Sequence, residues 1–306
     1  MGSSGPAKVD ALVVNQPRSA AASLALTLLA LAVGPRAACG EDPQTSTSSS
    51  CYAVLPTGKE ILLNCNGQQH SIPTGADVWD FAVDQDGSTL ALKRPVFHRG
   101  GWVTFDLGVL DLNGQTSVRV SAGKEDPWRL VPSCGTILVF TGSRARDVIH
   151  GSKLTMKPYS KFRCSSDRSV VAGVKKLRGV EIEVLLPLQR MVIPRDPNTE
   201  FELSPNGRYL AYMQRYDLMC VTEIGTAPAC TPVEMGLRGP FSVSDEGEIL
   251  FGSETQAGGL AYWKPGQPSP MSLQEVGTHP QWVTARAASA LLDWSSAHGS
   301  PRWPAP

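Results

Sequence analysis

The sequence predicts an all-β fold, and three observations carry that prediction. Glycine and proline are numerous, 29 and 24 of 306 residues, as a chain built from short strands and tight turns requires. A twelve-residue pattern of aromatic, short strand, polar turn and apolar strand recurs about every 40 residues. Asn113-Gly114 joins the strand-like runs 103–112 and 116–123, and Asn-Gly is the strongest short hairpin signal.

The recurring pattern is clearest in FELSPNGRYLAY, residues 201–212. The same register gives FAVDQDGSTLAL from Phe81, WRLVPSCGTILV from Trp128, FRCSSDRSVVAG from Phe162, FSVSDEGEILFG from Phe241 and WVTARAASALLD from Trp282. These six ungapped matches start 47, 34, 39, 40 and 41 residues apart. Gly87, Gly207 and Gly247 fall at the seventh position, where a turn asks for a positive φ. An apolar strand then returns, as in Thr89–Leu92 and Tyr209–Tyr212. Two more strands fit before the next match. Each unit is therefore read as a four-stranded antiparallel meander.

A repeat of that length and content describes one blade of a β-propeller, which buries its faces only against neighbouring blades. The opening aromatics are expected between blades. The last match supplies two strands, and CYAVL, EILLNC and QQHSIP before Phe81 supply strands without an opening motif. The expected architecture is therefore a six-bladed propeller closed by pairing of N- and C-terminal strands.

Residues 201–212 resemble the Phe/Trp-Ser-Pro-Asp-Gly-x-x-Leu-Ala repeat of TolB-like, WD40-like propellers. The resemblance spans 51–294 and is strongest at Phe81, Phe201 and Phe241; Cys134 replaces glycine in the Trp128 repeat, and the Trp282 repeat keeps little beyond the aromatic and the leucines. It concerns the propeller domain alone, without the N-terminal domain of TolB. It implies an all-β protein of the periplasm or cell envelope that acts through protein contacts.

The chain start adds an address. Lys8 and Arg18 precede the apolar run 20–33, which is short for a membrane span and suits a signal-peptide core. Ala37-Ala38-Cys39 has the small residues of a lipobox, so Cys39 is a candidate for lipid attachment; Arg36 departs from that pattern, and a secreted protein with an odd cysteine is the alternative. The expected organisation is a signal peptide at 1–39, a Ser/Thr-rich tether at 40–50, the propeller at 51–294 and a tail at 295–306. An exported chain meets an oxidising compartment. Cys51 and Cys65 are equidistant from Gly58, and Cys220 and Cys230 from Gly225, as residues facing each other across hairpins are. Disulfides Cys51–Cys65 and Cys220–Cys230 follow, and Cys134–Cys164 by elimination.

Function is less legible. With 28 basic and 28 acidic residues the formal charge is zero, which argues against a nucleic-acid binder. No Gly-x-Ser-x-Gly, His-Glu-x-x-His, Cys-x-x-Cys or phosphate-loop pattern occurs. The histidines fall at unrelated places in the repeat, Asp84–Gly87 runs into an apolar strand rather than a calcium loop, and no cofactor or metal is expected. Arg144, Arg146, Lys153, Lys157, Lys161 and Arg163 read as a solvated basic face. Asp80, Lys161, Glu200 and Gln281 directly precede opening aromatics, so strand alternation directs them toward a central channel. They are the candidate residues of the channel mouth. The expectation is a monomeric, non-catalytic exported module that binds a protein or envelope component and meets a membrane only through a lipid anchor. A propeller lyase or hydrolase acting on carbohydrate or peptide is the alternative.

Overall fold

The computed structural model describes residues 51–114, 119–123, 129–141, 144–156, 159–175, 181–186, 190–194, 200–215, 217–233, 239–252 and 258–304. Among these, 24 strands form six four-stranded antiparallel sheets, the blades of the expected propeller. We number the blades in chain order. The inner strands of blades 1 to 5 are Asp80–Val83, Leu130–Ser133, Tyr159–Cys164, Phe201–Leu203 and Phe241–Val243.

Blade 6 joins the two ends of the ring. Its inner strand Thr278–Val283 pairs antiparallel with Cys51–Leu55, which continues into Glu60–Cys65 and Gln68–Pro73. One C-terminal strand closes the ring where the repeat suggested two. The rest of the sixth motif is the helix Ala285–His298, capped by Thr284, whose hydroxyl accepts from the Ala287 amide. Ala287, Ala288 and Leu291 form its buried stripe, so the apolar residues read as a returning strand have helical spacing. The helix crosses residue 294, the expected end of the propeller.

The opening aromatics lie between blades. Phe81 is buried among Ile61 and Leu63 of blade 6 and Leu291 of the helix. Phe162 packs with Val131 and Leu138 of blade 2, Phe201 with Val170 and Ile182 of blade 3, and Phe241 with Met219 and Val221 of blade 4. Trp282 meets Tyr262 of blade 5 edge-on at 6.3 Å. Trp128 lies outside the described residues. Such a ring of apolar seams makes every blade depend on its neighbours.

The turn after the inner strand is built alike in blades 1, 3, 4 and 5. Gly87, Gly207 and Gly247 donate to the carbonyls of Asp84, Ser204 and Ser244. The side chains of those three residues, and of Ser165 in blade 3, accept from the backbone amides of Thr89, Tyr209, Glu248 and Val170 where the next strand begins. Gly207 sits at φ 74°, and a Cβ there would meet Ser165 and Val170 at 2.9 Å. Glycine is needed both for the left-handed conformation and for the close approach of blade 3.

All three expected disulfides are present. Cys51–Cys65 and Cys220–Cys230 join directly opposed residues of neighbouring strands within a blade. Cys134–Cys164 instead ties blade 2 to blade 3. Three disulfides suit an oxidising, non-cytoplasmic compartment. No helix among the described residues is long and apolar enough to cross a membrane. Cys39 and the segments 1–39 and 40–50 lie outside the described residues.

Candidate functional site: the channel entrance

The inner strands all start at one end of the ring, which we call the entrance. Strand alternation turns the residues before and after each opening aromatic to the opposite face of the inner strand; Ala82, after Phe81, packs there with Leu130, Ile137 and Val139 of blade 2. The residues that follow the aromatics form the strongest cluster. Arg163 of blade 3 donates to both carboxylate oxygens of Glu202 in blade 4, at 2.7 and 3.1 Å. Arg129 of blade 2 reaches the same carboxylate at 2.9 Å and the Phe241 carbonyl of blade 5 at 3.2 Å. One carboxylate thus gathers two guanidiniums, and four successive blades meet through it. Burial opposes the charge on Arg163, but the adjacent Glu202 charge and its hydrogen bonds more than offset this and raise the guanidinium pKa.

The four residues expected at the mouth divide into two pairs. Lys161 and Glu200 lie on neighbouring blades and form an ion pair at 2.8 Å, both partly exposed. Burial alone would raise the Glu200 pKa; the charge and hydrogen bond of Lys161, with Arg163 and Arg129 nearby, bring it below the ordinary value. Asp80 and Gln281 are buried instead. Gln281 grips Val83 of blade 1, accepting from its amide at 3.0 Å and donating to its carbonyl at 2.6 Å. Asp80 accepts from its neighbour Phe81 and from Leu130 of blade 2, the latter at 2.7 Å. These two residues are stitches between blades, as the closing ring requires.

His279 lies 3.8 Å from Asp80. It occupies an irregularity in the pairing of Thr278–Val283 with Cys51–Leu55 and takes φ 53°. A bulge of this kind re-aims a side chain. Burial lowers the His279 pKa; Asp80 opposes this, while Arg129 and Lys93 reinforce it. The lowered pKa favours the neutral form of the ring.

The space left between these groups is small. A cavity of about 40 Å³ is lined by Asp80, Arg129, Glu202, His279 and Gln281. That volume suits a few waters rather than a substrate of ordinary size. At the turn end a second cavity, about 140 Å³, is lined by Asp84, Gln85, Ser244, Asp245 and Glu246. No group of three or more metal-ligating side chains suited to an ion occurs among the described residues.

Blade 1 adds a feature to the entrance that the repeat did not announce. Its hairpin Thr89–Phe97 and Val103–Asp111 has nine residues in each strand, paired throughout. The inner strand covers only Leu90–Lys93, and Arg119–Gly123 covers only Phe105–Val109. Beyond these limits the hairpin has no neighbouring strand among the described residues and overhangs the entrance. Phe97 is 71% exposed, Trp102 55% and Trp79 42%. Trp79 packs on Phe97 and Phe105 at 6.3 and 5.4 Å, and His98 stacks on Trp102 at 3.7 Å.

Sequence reasoning missed Arg129, Arg163 and Glu202, although a signal was there. They occupy one position of the repeat in three consecutive blades, directly after Trp128, Phe162 and Phe201. In the sequence Arg163 belongs to an expected solvated basic face; in the structure it is buried in its ion pair. Of that group Arg146 and Lys153 are exposed, and Lys157 lies outside the described residues.

Comparison with known proteins identifies no family for this chain: no family model and no curated protein matches the sequence. Among solved structures the chain is similar to apo AztD from Citrobacter koseri, at 10% identity over 76% of this chain and 97% of that one, with a TM-score of 0.46. A candidate 6-phosphogluconolactonase from Bacteroides uniformis matches at 10% identity over 74% and 82%, TM-score 0.43. Kluyveromyces lactis Hsv2 matches at 12% identity over 72% of each chain, TM-score 0.43. At these values the TolB-like resemblance of the repeat stays a likeness of pattern.

Proposed function

We propose that this chain is an exported, non-catalytic binding module of the bacterial cell envelope that presents the entrance of its propeller to a protein or envelope component. One observation carries the reading. Trp79, Phe97 and Trp102 are exposed beside a channel whose charged groups are largely satisfied by one another. Exposed aromatics at a rim are what recognition surfaces offer, whereas a channel filled by its own ion pairs has little room for a substrate. The disulfides accord with export, and Cys39 with a lipid anchor on a monomer. Affinity capture from envelope extracts tests the reading. The chain should retain a specific component that the variant Phe97→Ser/Trp102→Ser releases; equal retention by both would refute it. Mass spectrometry of the mature chain should find a diacylglyceryl adduct on Cys39, and an unmodified thiol removes the anchor.

A second reading rests on the His279–Asp80 pair, which has the composition of an acid–base couple at the channel. It makes the chain a lyase or hydrolase for carbohydrate or peptide. Turnover of such substrates that is abolished by His279→Gln, with folding intact, would establish it in place of the first.

A further inference from the structure

We propose that the overhanging hairpin of blade 1, through Phe97, Trp102 and Trp79, seats on a lipid bilayer that carries anionic headgroups. The inference rests on the reading of the entrance as the recognition surface and names what covers this part of it.

Shape is the first argument. A bilayer is flat, so only a projecting element enters it ahead of the rest of a protein. Among the described residues its strands outrun both neighbouring strands from Arg94 to Phe97 and from Val103 to Thr104; Arg94 packs on Trp303 at 4.4 Å and Pro95 is buried, so the projecting part is the tip from Phe97 to Trp102. Neither of the two cavities described above borders the tip.

Composition is the second. Phe97 and Trp102 flank a turn of His98, Arg99, Gly100 and Gly101, in which the His98 amide donates to the Trp102 carbonyl at 3.1 Å. Large aromatics beside a cation are the side chains that settle at a membrane interface, with rings among the acyl ends and charge among the headgroups. Residues 93–105 contain Lys93, Arg94 and Arg99 and no Asp or Glu. Asp106 neutralises Arg94 at 2.6 Å, and Arg99 stands exposed at the tip. Arg99 gives the tip between Phe97 and Trp102 a positive charge that complements a negative surface, while Asp77 is exposed near Trp79 at the edge of the patch.

Area is the third. A fully buried aromatic contributes roughly 150–250 Å², so the exposed fractions of these three rings offer on the order of 350 Å². One partner of a standard protein complex contributes about 800 Å². The three rings by themselves cover less than a standard protein interface, and that area suits a wedge at a bilayer surface.

The test reads Trp102 itself, so that residues 20–33 anchoring the full chain by themselves do not mask it. The full chain and Trp102→Phe are mixed with phosphatidylcholine vesicles holding about 30% phosphatidylglycerol, with and without brominated acyl chains. Brominated lipid should quench tryptophan emission at least about twofold more in the parent chain than in the variant, and vesicles of phosphatidylcholine alone should lower that difference at least about threefold. Equal quenching of the two chains overturns the proposal, and equal quenching on the two lipid compositions overturns its anionic specificity. If Trp102 is unquenched while Phe97→Ser/Trp102→Ser still loses its captured envelope component, this inference falls and the binding reading stands.

Discussion

The two ends of the ring are built on opposite plans. At the turn end, blades 1, 3, 4 and 5 repeat one device, a short polar side chain that closes the turn and receives the first amide of the returning strand. At the entrance, equivalent positions differ from blade to blade: Asp80, Lys161, Glu200 and Gln281 before the aromatics, Arg129, Arg163 and Glu202 after them. The repeated device closes each turn within its own blade, although the turn end also joins blades, through Cys134–Cys164 and through the Ser166 amide on the Pro205 carbonyl. The varied end joins blades through its charged and amide side chains and carries the exposed aromatics. Uniform positions here serve the blade, and non-uniform ones serve the particular molecule.

The contrast is broken most severely at Glu202. Glu202→Ala leaves the buried Arg163 guanidinium without its bidentate partner and deprives Arg129 as well. A loss of about 3–5 kcal/mol is expected, seen as a lower midpoint in chemical denaturation. Next comes the link between blades 2 and 3. Cys134→Ser/Cys164→Ser opens a loop of 30 residues and should cost about 3–4 kcal/mol, against roughly 2.7 for the ten-residue Cys220–Cys230 loop, if chain entropy dominates. Equal costs would show that native packing rather than loop length sets the contribution.

At the turn end, Gly207→Ala must fit a Cβ against Ser165 and Val170 at positive φ. About 2 kcal/mol is expected, whereas Ser204→Ala should lose nearer 1 kcal/mol with the hydrogen bond to Tyr209. Thermal melts order the two. The smallest effect is a pH dependence. Because burial lowers the folded-state pKa of His279, the unfolded chain binds a proton that the folded chain resists as pH falls below the usual histidine value near 6.5. Stability should decline from pH 7 toward pH 5, and His279→Gln should flatten that decline. The lowered carboxyl of Glu200 acts in a more acidic window, where stability is lost as pH falls through its folded pKa.

These two plans also explain what could be read from the residues alone. The turn end is legible because its chemistry recurs: Gly87, Gly207 and Gly247 mark the same position in three of the repeats, and the opening aromatics mark the seams. Two disulfides were legible because hairpin symmetry is local. The channel was legible only in part. Position in the repeat marks Asp80, Lys161, Glu200 and Gln281 as candidates for the channel mouth, but not that Asp80 and Gln281 are buried stitches between blades. The triad of Arg129, Arg163 and Glu202 required a comparison down the aligned repeats rather than a search for motifs. Two features escaped because they depart from the repeat. The helix Ala285–His298 fills the place of a turn and strand, and Gly87 lies against Ala287 of that helix. The aromatic tip depends on strand length, which composition does not reveal.

The manner of closure has a consequence for how the molecule comes into being. Strands Cys51–Leu55, Glu60–Cys65 and Gln68–Pro73 emerge early, yet their fourth partner, Thr278–Val283, arrives only after five whole blades. Until then Cys51–Leu55 is a bare sheet margin, able to accept the equivalent late strand of another copy. The Cys51–Cys65 bond can form meanwhile and keep the waiting hairpin in register. Crowded nascent chains with a weakened last strand would therefore exchange ends and accumulate as interlocked dimers.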